Sequence, residues 1–93
     1  LERMRKMKNT VTQEDINNIL DKTQFAVEEF HGKCTVVVAK LPNGFILTES
    51  SACVDPANYD VNIGIECCKE RIVDKIWHLE GYRLQCELAK LNG

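Results

Sequence analysis

Ninety-three residues suffice for one domain and leave little room for a second. A hydrophobic share of 44% excludes a disordered chain, and a net charge of −2 points to neither a nucleic-acid binder nor an acidic tail. No apolar run approaches the length of a membrane helix and no signal-peptide pattern opens the chain, so a soluble intracellular protein is expected, with no membrane and no DNA partner.

The five cysteines, Cys34, Cys53, Cys67, Cys68 and Cys86, are odd in number and contain no C-x-x-C. Neighbours on a helix point about 100° apart, so Cys67 and Cys68 make neither a zinc pair nor a disulfide. Reduced thiols packed as small hydrophobes are the expected state.

In chain order, Arg3, Arg5, Lys6 and Lys8 crowd the first eight positions. Residues 1–10 read as a frayed lead-in, with an RNA- or phosphate-binding arm as the other reading. Thr12, with Asp15 three positions on, is a capping-box signal, and Val11 can staple against Ile16. A short helix over 13–21 follows, carrying Ile16, Ile19 and Leu20 on one side. At that length it must dock on something.

Three strand-like runs come next. Residues 24–30 alternate weakly, with Phe25 and Val27 on one face. After the tight connection His31-Gly32-Lys33, residues 33–41 are β-branched and apolar in the middle, as expected of a central strand covered on both faces. Pro42-Asn43-Gly44 is a hairpin turn, since Asn-Gly tolerates positive φ. Residues 45–54 form the third strand, with Phe45 and Leu47 on one face and a polar second half at Thr48-Glu49-Ser50-Ser51. Sequential hairpins predict an antiparallel meander whose two free edges favour pairing with a second copy.

Asp55-Pro56 is a helix-start signal, with Asn58 or Asp60 as later caps. The run to Leu91 is helical by its period: Val61, Ile65, Cys68, Ile72, Ile76 and Leu79 recur in steps of three and four. A second apolar line, Val73, Trp77, Leu84, Leu88 and Leu91, lies well round from the first. The phase changes at Gly81, where a kink or stop is expected. A rod of about 50 Å outgrows a domain whose radius of gyration should be about 12 Å. The helix therefore either breaks at Gly81 and folds back or lends one line to another subunit. The second is preferred, with the helices as the core of a homodimer.

Chemistry has one candidate surface. Gly64, Cys67, Arg71, Lys75, His78 and Tyr82 share a helix face. Arg71 and Lys75 repel each other mildly, and an anion would relieve that. The same face also reads as an ordinary solvated basic surface. Ser50 and Ser51 can line a pocket or simply let the helix approach the sheet. Phe45 can stack on a nucleobase or fill the core, and Trp77 suits a packing interface. There is no P-loop, no dinucleotide glycine motif and no H-E-x-x-H, and neither His31 nor His78 has a nucleophile partner in a known motif. Nothing supports an enzyme or a cofactor.

Three stretches carry a resemblance: Asn43-Gly44-Phe45; Glu49 to Asp60, reading Glu-Ser-Ser-Ala-Cys-Val-Asp-Pro-Ala-Asn-Tyr-Asp; and Lys75-Ile76-Trp77-His78-Leu79-Glu80-Gly81-Tyr82-Arg83-Leu84. With the T-x-E/D-x-I helix at Thr12 to Ile16, their order and spacing resemble the small phage proteins grouped as the gene-49/gene-66 family, over about residues 10–88. Members similar to this chain include the first type of Thoeris anti-defence protein. That resemblance implies a sponge that binds, without cleaving, the cyclic ADP-ribose isomer made by a bacterial TIR enzyme. It extends to cyclic di- or trinucleotides at a separate site and to a hexamer of three dimers. The location implied is the cytoplasm of the infected host. Motif positions and helix face together nominate Asn43, Phe45, Ser50, Asn58, Arg71, Lys75, Tyr82 and Arg83 as ligand contacts. The expected architecture is a single α+β domain over 1–93: a three-stranded antiparallel sheet, a short N-terminal helix and a long C-terminal helical segment. A docking module for a host protein is the alternative function, and a small hydrolase of the same signal is the third.

Overall fold

Two hairpins, a 3₁₀ turn and two helices make up the described path in the computed structural model, which covers residues 9–92. The basic lead-in at Arg3, Arg5, Lys6 and Lys8 lies outside the described residues. Helix α1 (Gln13–Asp21) is followed by strands β1 (Gln24–Phe30), β2 (Cys34–Lys40) and β3 (Ile46–Ala52). A 3₁₀ turn (Pro56–Asn58) then leads into helix α2 (Val61–Asn92).

The capping box forms as expected. The Asp15 amide donates to Thr12 Oγ1 at 3.2 Å, and the Thr12 amide donates to Asp15 Oδ2 at 2.9 Å. The cap sets the direction of α1, which buries Ile16 completely. The strands form an antiparallel meander in the order β1-β2-β3. In the first hairpin His31 and Gly32 take positive φ, 55° and 67°. In the second, Gly44 donates to the Leu41 carbonyl and Leu41 to the Phe45 carbonyl, both at 2.8 Å. Only Gly44 takes positive φ there, at 93°. Asn43 contributes its side chain instead: Oδ1 accepts from the Phe45 amide at 3.0 Å, an Asx turn.

The registers Val37↔Val27 and Val37↔Glu49 place odd-numbered residues of all three strands on one face. That face carries Thr35, Val37, Ala39 and Leu47, and α2 covers it with Cys68, Ile72 and Ile76. Burying each of these isoleucines contributes about 1.5–3 kcal/mol. The even-numbered face has no covering layer among the described residues: Val36 and Val38 stay partly accessible, and Phe30 and Ile46 are exposed. The central strand is thus covered on one face only, because a chain with one long helix has a single layer to lay on the sheet.

Helix α2 starts at the later of the caps that the sequence offers and runs on past the glycine where a kink or stop is expected. Asp55 caps only the 3₁₀ turn, with Oδ1 accepting from the Ala57 amide at 2.9 Å. Asp60 starts α2: its Oδ1 accepts from the Asn62 amide at 2.9 Å and its carbonyl from the Gly64 amide at 3.0 Å. At the far end there is no stop. The helix runs through Gly81 for 32 residues, and the extents are 60 × 22 × 20 Å with a radius of gyration of 17.2 Å. One glycine costs a helix only about 1 kcal/mol. Arg83, bonded to Glu80 across the glycine and to Glu87 one turn on, helps offset it. The second apolar line is also used partly within the chain. Val73 and Trp77 pack on the core and Leu84 is buried, while Leu91 remains exposed.

Two glycines of α2 should therefore respond oppositely to alanine. A Cβ on Gly64 would sit 2.4 Å from Thr35 Oγ1 and 2.9 Å from its Cβ, so Gly64→Ala should lower stability by about 1–3 kcal/mol. Nothing lies within 4 Å of a Cβ on Gly81, so Gly81→Ala should raise stability by about 0.5–1 kcal/mol. Urea midpoints measured at unchanged slope read both signs; a loss at Gly81 would contradict a continuous helix there.

Candidate functional site

Arg71, Lys75, His78 and Tyr82 follow one another at helical spacing on the side of α2 that overhangs β3. Because β3 is an edge strand, carbonyls two residues apart on it point outward to the same side. Arg71 Nη1 donates to the Ser50 carbonyl at 2.7 Å, and Lys75 Nζ to the Thr48 carbonyl at 3.3 Å. Lys75 also forms an ion pair with Glu49. The two cations therefore cap a free strand edge, the kind of edge that otherwise recruits another chain. Each keeps capacity for more, since a guanidinium has five N–H donors and an ammonium three.

One turn further along, the strip opens into an apolar groove. Phe45 from the turn before β3, Leu47 from β3 and Leu79 from α2 form it, with Lys75 and His78 also lining it, around a cavity of about 310 Å³. Phe45 leaves 50% of its surface accessible, which a core phenylalanine would not. His78 Nδ1 lies 2.8 Å from the Asp74 carbonyl. A carbonyl only accepts, so Nδ1 carries the proton. Tyr82, one turn beyond His78 and 73% exposed, extends the same face. Chemically, the groove offers a flat apolar partner, a cation and a titratable imidazole. Its volume sits at the low end of small-ligand cavities.

The eight nominated residues do not all meet here. Phe45 and Lys75 line the groove, Tyr82 continues it, and Arg71 holds Ser50 one turn back along the strip. Asn43 stays in its turn, beside a separate cavity with Ile19, Leu41, Pro42 and Glu80. Asn58 lies in a small cavity with Ser51, Cys53, Tyr59 and Gly64. Arg83 is turned to the α1 side, where Nε bonds Glu80 at 3.1 Å and Nη1 bonds Glu87 at 2.9 Å. Those bonds, the Glu80 one foremost, hold its pKa above the usual value. Sequence reasoning left Leu47, His78 and Leu79 out of the contact set. Leu47 was legible through its period-2 relation to Phe45, and His78 through its place between Lys75 and Tyr82.

A second polar cluster sits under the start of α2. Buried Thr35 and half-buried Tyr59 share a hydrogen bond of 2.6 Å. Desolvation pushes the Tyr59 phenol above its ordinary pKa, the bond from Thr35 pulls it back, and Glu29 raises it further. Burial likewise raises the Cys68 thiol, which suits a core residue rather than a nucleophile. A wide depression of about 600 Å³ lies along the other flank of α2 and is lined by Glu66, Lys69, Glu70, Val73 and Asp74. Its charge is mostly negative.

The edge-capping role has its own test. Replacing Arg71 and Lys75 together with alanine should cost under about 1 kcal/mol per residue, because both are exposed. It should also make the protein self-associate with rising concentration, as light scattering would detect. A double variant that scatters like the parent would show that these bonds do not protect the edge.

Among the described residues no helix is long and apolar enough to cross a membrane, and no group of three His, Cys, Asp or Glu side chains could hold a metal ion. Comparison with curated proteins and with solved structures gives no match. Residues 7–88 match the phage protein (N4 Gp49/phage Sf6 gene 66) family. That span takes in α1, the whole sheet, the groove and all but the last turn of α2, and on it the chain belongs to this phage protein family.

Proposed function

We propose that the protein binds and holds, without cleaving, a cyclic nucleotide immune signal, with a cyclic ADP-ribose isomer made by a bacterial TIR enzyme as the ligand. The observation that carries this reading is the half-exposed Phe45 ring in an apolar groove flanked by Lys75 and His78, with Arg71 one turn away. An adenine ring would stack on Phe45 and extend toward Tyr82. A pyrophosphate carries more charge than the Glu49 carboxylate and would compete with it for Lys75, while the unused N–H groups of Arg71 accept further oxygens. The groove's polar groups are donors and a cation, which suits holding an anion. The resemblance to the Thoeris anti-defence proteins supports the choice of signal, and on this reading the protein acts in the cytoplasm of an infected host. Cyclic di- and trinucleotides are the next ligands in line.

The deciding experiment is retention. Purified protein is incubated with the small-molecule product of an active TIR enzyme, filtered, then denatured, and the released material is identified by mass. Intact cyclic ADP-ribose isomer is the expected result. A cleaved product would make the protein a hydrolase, and signal left wholly in the filtrate would remove this ligand. Phe45→Ala and Tyr82→Ala should each weaken retention by about tenfold, the loss of one stacking contact. Arg83→Ala, on the far side of α2, should retain the signal like the parent.

A further inference from the structure

The depression on the β1 side of α2 differs in chemistry from the Phe45 groove. Glu66, Glu70 and Asp74 stand along it four residues apart, so each carboxylate neighbours another of the same sign. Among the described residues none of these three side chains forms an ion pair or a hydrogen bond. Lys69, the cation in the lining, is drawn aside over the ring of Phe25, 4.6 Å from its centroid. Phe25 is the one residue of β1 that is not exposed. Beside the acids Val73 is only half-buried, and Trp77, one turn on, is in the same state. An apolar strip thus lies rimmed by carboxylates without counter-charges. We infer that this flank of α2 is the docking site of the chain's own basic lead-in, residues 1–8.

The lead-in is the chemical complement of the depression. Arg3, Arg5, Lys6 and Lys8 set four cations against one acid, Glu2, and Leu1, Met4 and Met7 supply apolar side chains three apart. Methionine is unbranched and adapts to irregular apolar surfaces such as that of Val73 and Trp77. A cation beside Glu70 relieves the repulsion from its neighbours and donates charge-assisted hydrogen bonds. The opposite flank of α2 offers the reverse, because Arg71 and Lys75 there repel a basic segment. Docking therefore leaves the Phe45 groove clear.

The point of attachment fits as well. Thr10 lines a small cavity with Glu80 and Leu84 of α2. Glu66, Val73 and Glu80 are seven residues apart in turn and so fall on one line along the helix. The chain before Thr10 accordingly sets out from the same flank as the depression. Along α2, Asp74 is about 9 Å and Glu66 about 21 Å from Glu80. Extended chain carries Lys6 up to about 13 Å and Arg3 up to about 23 Å from Thr10, so the cations span the whole row of acids. Tethering also gives the lead-in an effective concentration of about a millimolar, ahead of any free basic segment.

The test uses the full chain without nucleotide, so its result stands apart from that of ligand retention. Limited trypsin digestion followed by mass reads how fast the chain is cut after Arg3, Arg5, Lys6 and Lys8. In the triple variant Glu66→Gln, Glu70→Gln, Asp74→Asn these cuts should come about tenfold faster than in the parent. The urea midpoint separates docking from a bare acidic face. Neutralising the acids should lower it if cations sit among them, whereas relief of like-charge repulsion alone would raise it. With Arg3, Arg5, Lys6 and Lys8 all changed to glutamine, the triple change should no longer lower the midpoint. Carbodiimide coupling of mixed isotope-labelled and unlabelled protein should join Lys6 or Lys8 to Glu70 or Asp74 within one chain. Equal cutting rates, a midpoint that does not fall, a fall that survives loss of the cations, or couplings formed only between chains would each overturn the proposal.

Discussion

The packing of α2 on one face of a three-stranded sheet is the constraint from which the other features follow. Cys68, Ile72 and Ile76 bury their side chains against Thr35, Val37, Ala39 and Leu47. The approach is close only because residue 64 has no side chain to push against Thr35. That contact fixes the height of the helix above β2. The helix period then decides which residues overhang β3 and which flank faces β1. Arg71 and Lys75 reach the Thr48 and Ser50 carbonyls for this reason, and Lys69 reaches Phe25 on the other side.

The basic face of α2 therefore has a structural use before any ligand is considered. A solvated surface and an anion site were the two readings of Arg71 and Lys75 from sequence, and the observed role is a third: they close an edge strand. This does not exhaust them, because a carbonyl satisfies one donor and leaves the formal charge in place. Arg83 is more fully committed. Its bonds to Glu80 and Glu87 run along the helix across Gly81, and they help explain why the glycine does not end it. The motif that includes Gly81 and Arg83 is in this respect a description of a continuous helix as much as of a binding surface.

Local patterns were legible wherever one element carried its own signal. The Thr12–Asp15 cap, the Pro42-Asn43-Gly44 turn, three alternating runs and a helix-period segment each depend on neighbours within a few residues. All of them appear in the structure at or near their expected places. The misreadings came from competition between signals. Asp55-Pro56 and Asp60 are both valid starts, and the first was spent on a 3₁₀ turn. The apolar middle of β2 suggested cover on both faces, yet Val-Val-Val reads the same whether one layer or two lies over it. For the site, the shared helix face of Arg71, Lys75 and Tyr82 was readable from spacing, and so was the pairing of Phe45 with Leu47. That Asn58 and Arg83 would fall elsewhere was not, since nothing local distinguishes a motif residue that caps or braces from one that contacts a ligand.

The sequence by itself determined the element types, the order of the hairpins, the apolar stripe of α2 and the family, because these depend on backbone preferences and periodicities that act over short range. Tertiary structure alone decided the side on which α2 crosses the sheet, the sealing of β3, the exposure of β1 and the joining of Phe45 to Lys75 and His78 in one groove. The physical reason is that these depend on a rigid-body placement set by the Gly64–Thr35 approach and by Ile72 and Ile76 filling the sheet face. Residues 21 or more positions apart meet there only after the helix has docked.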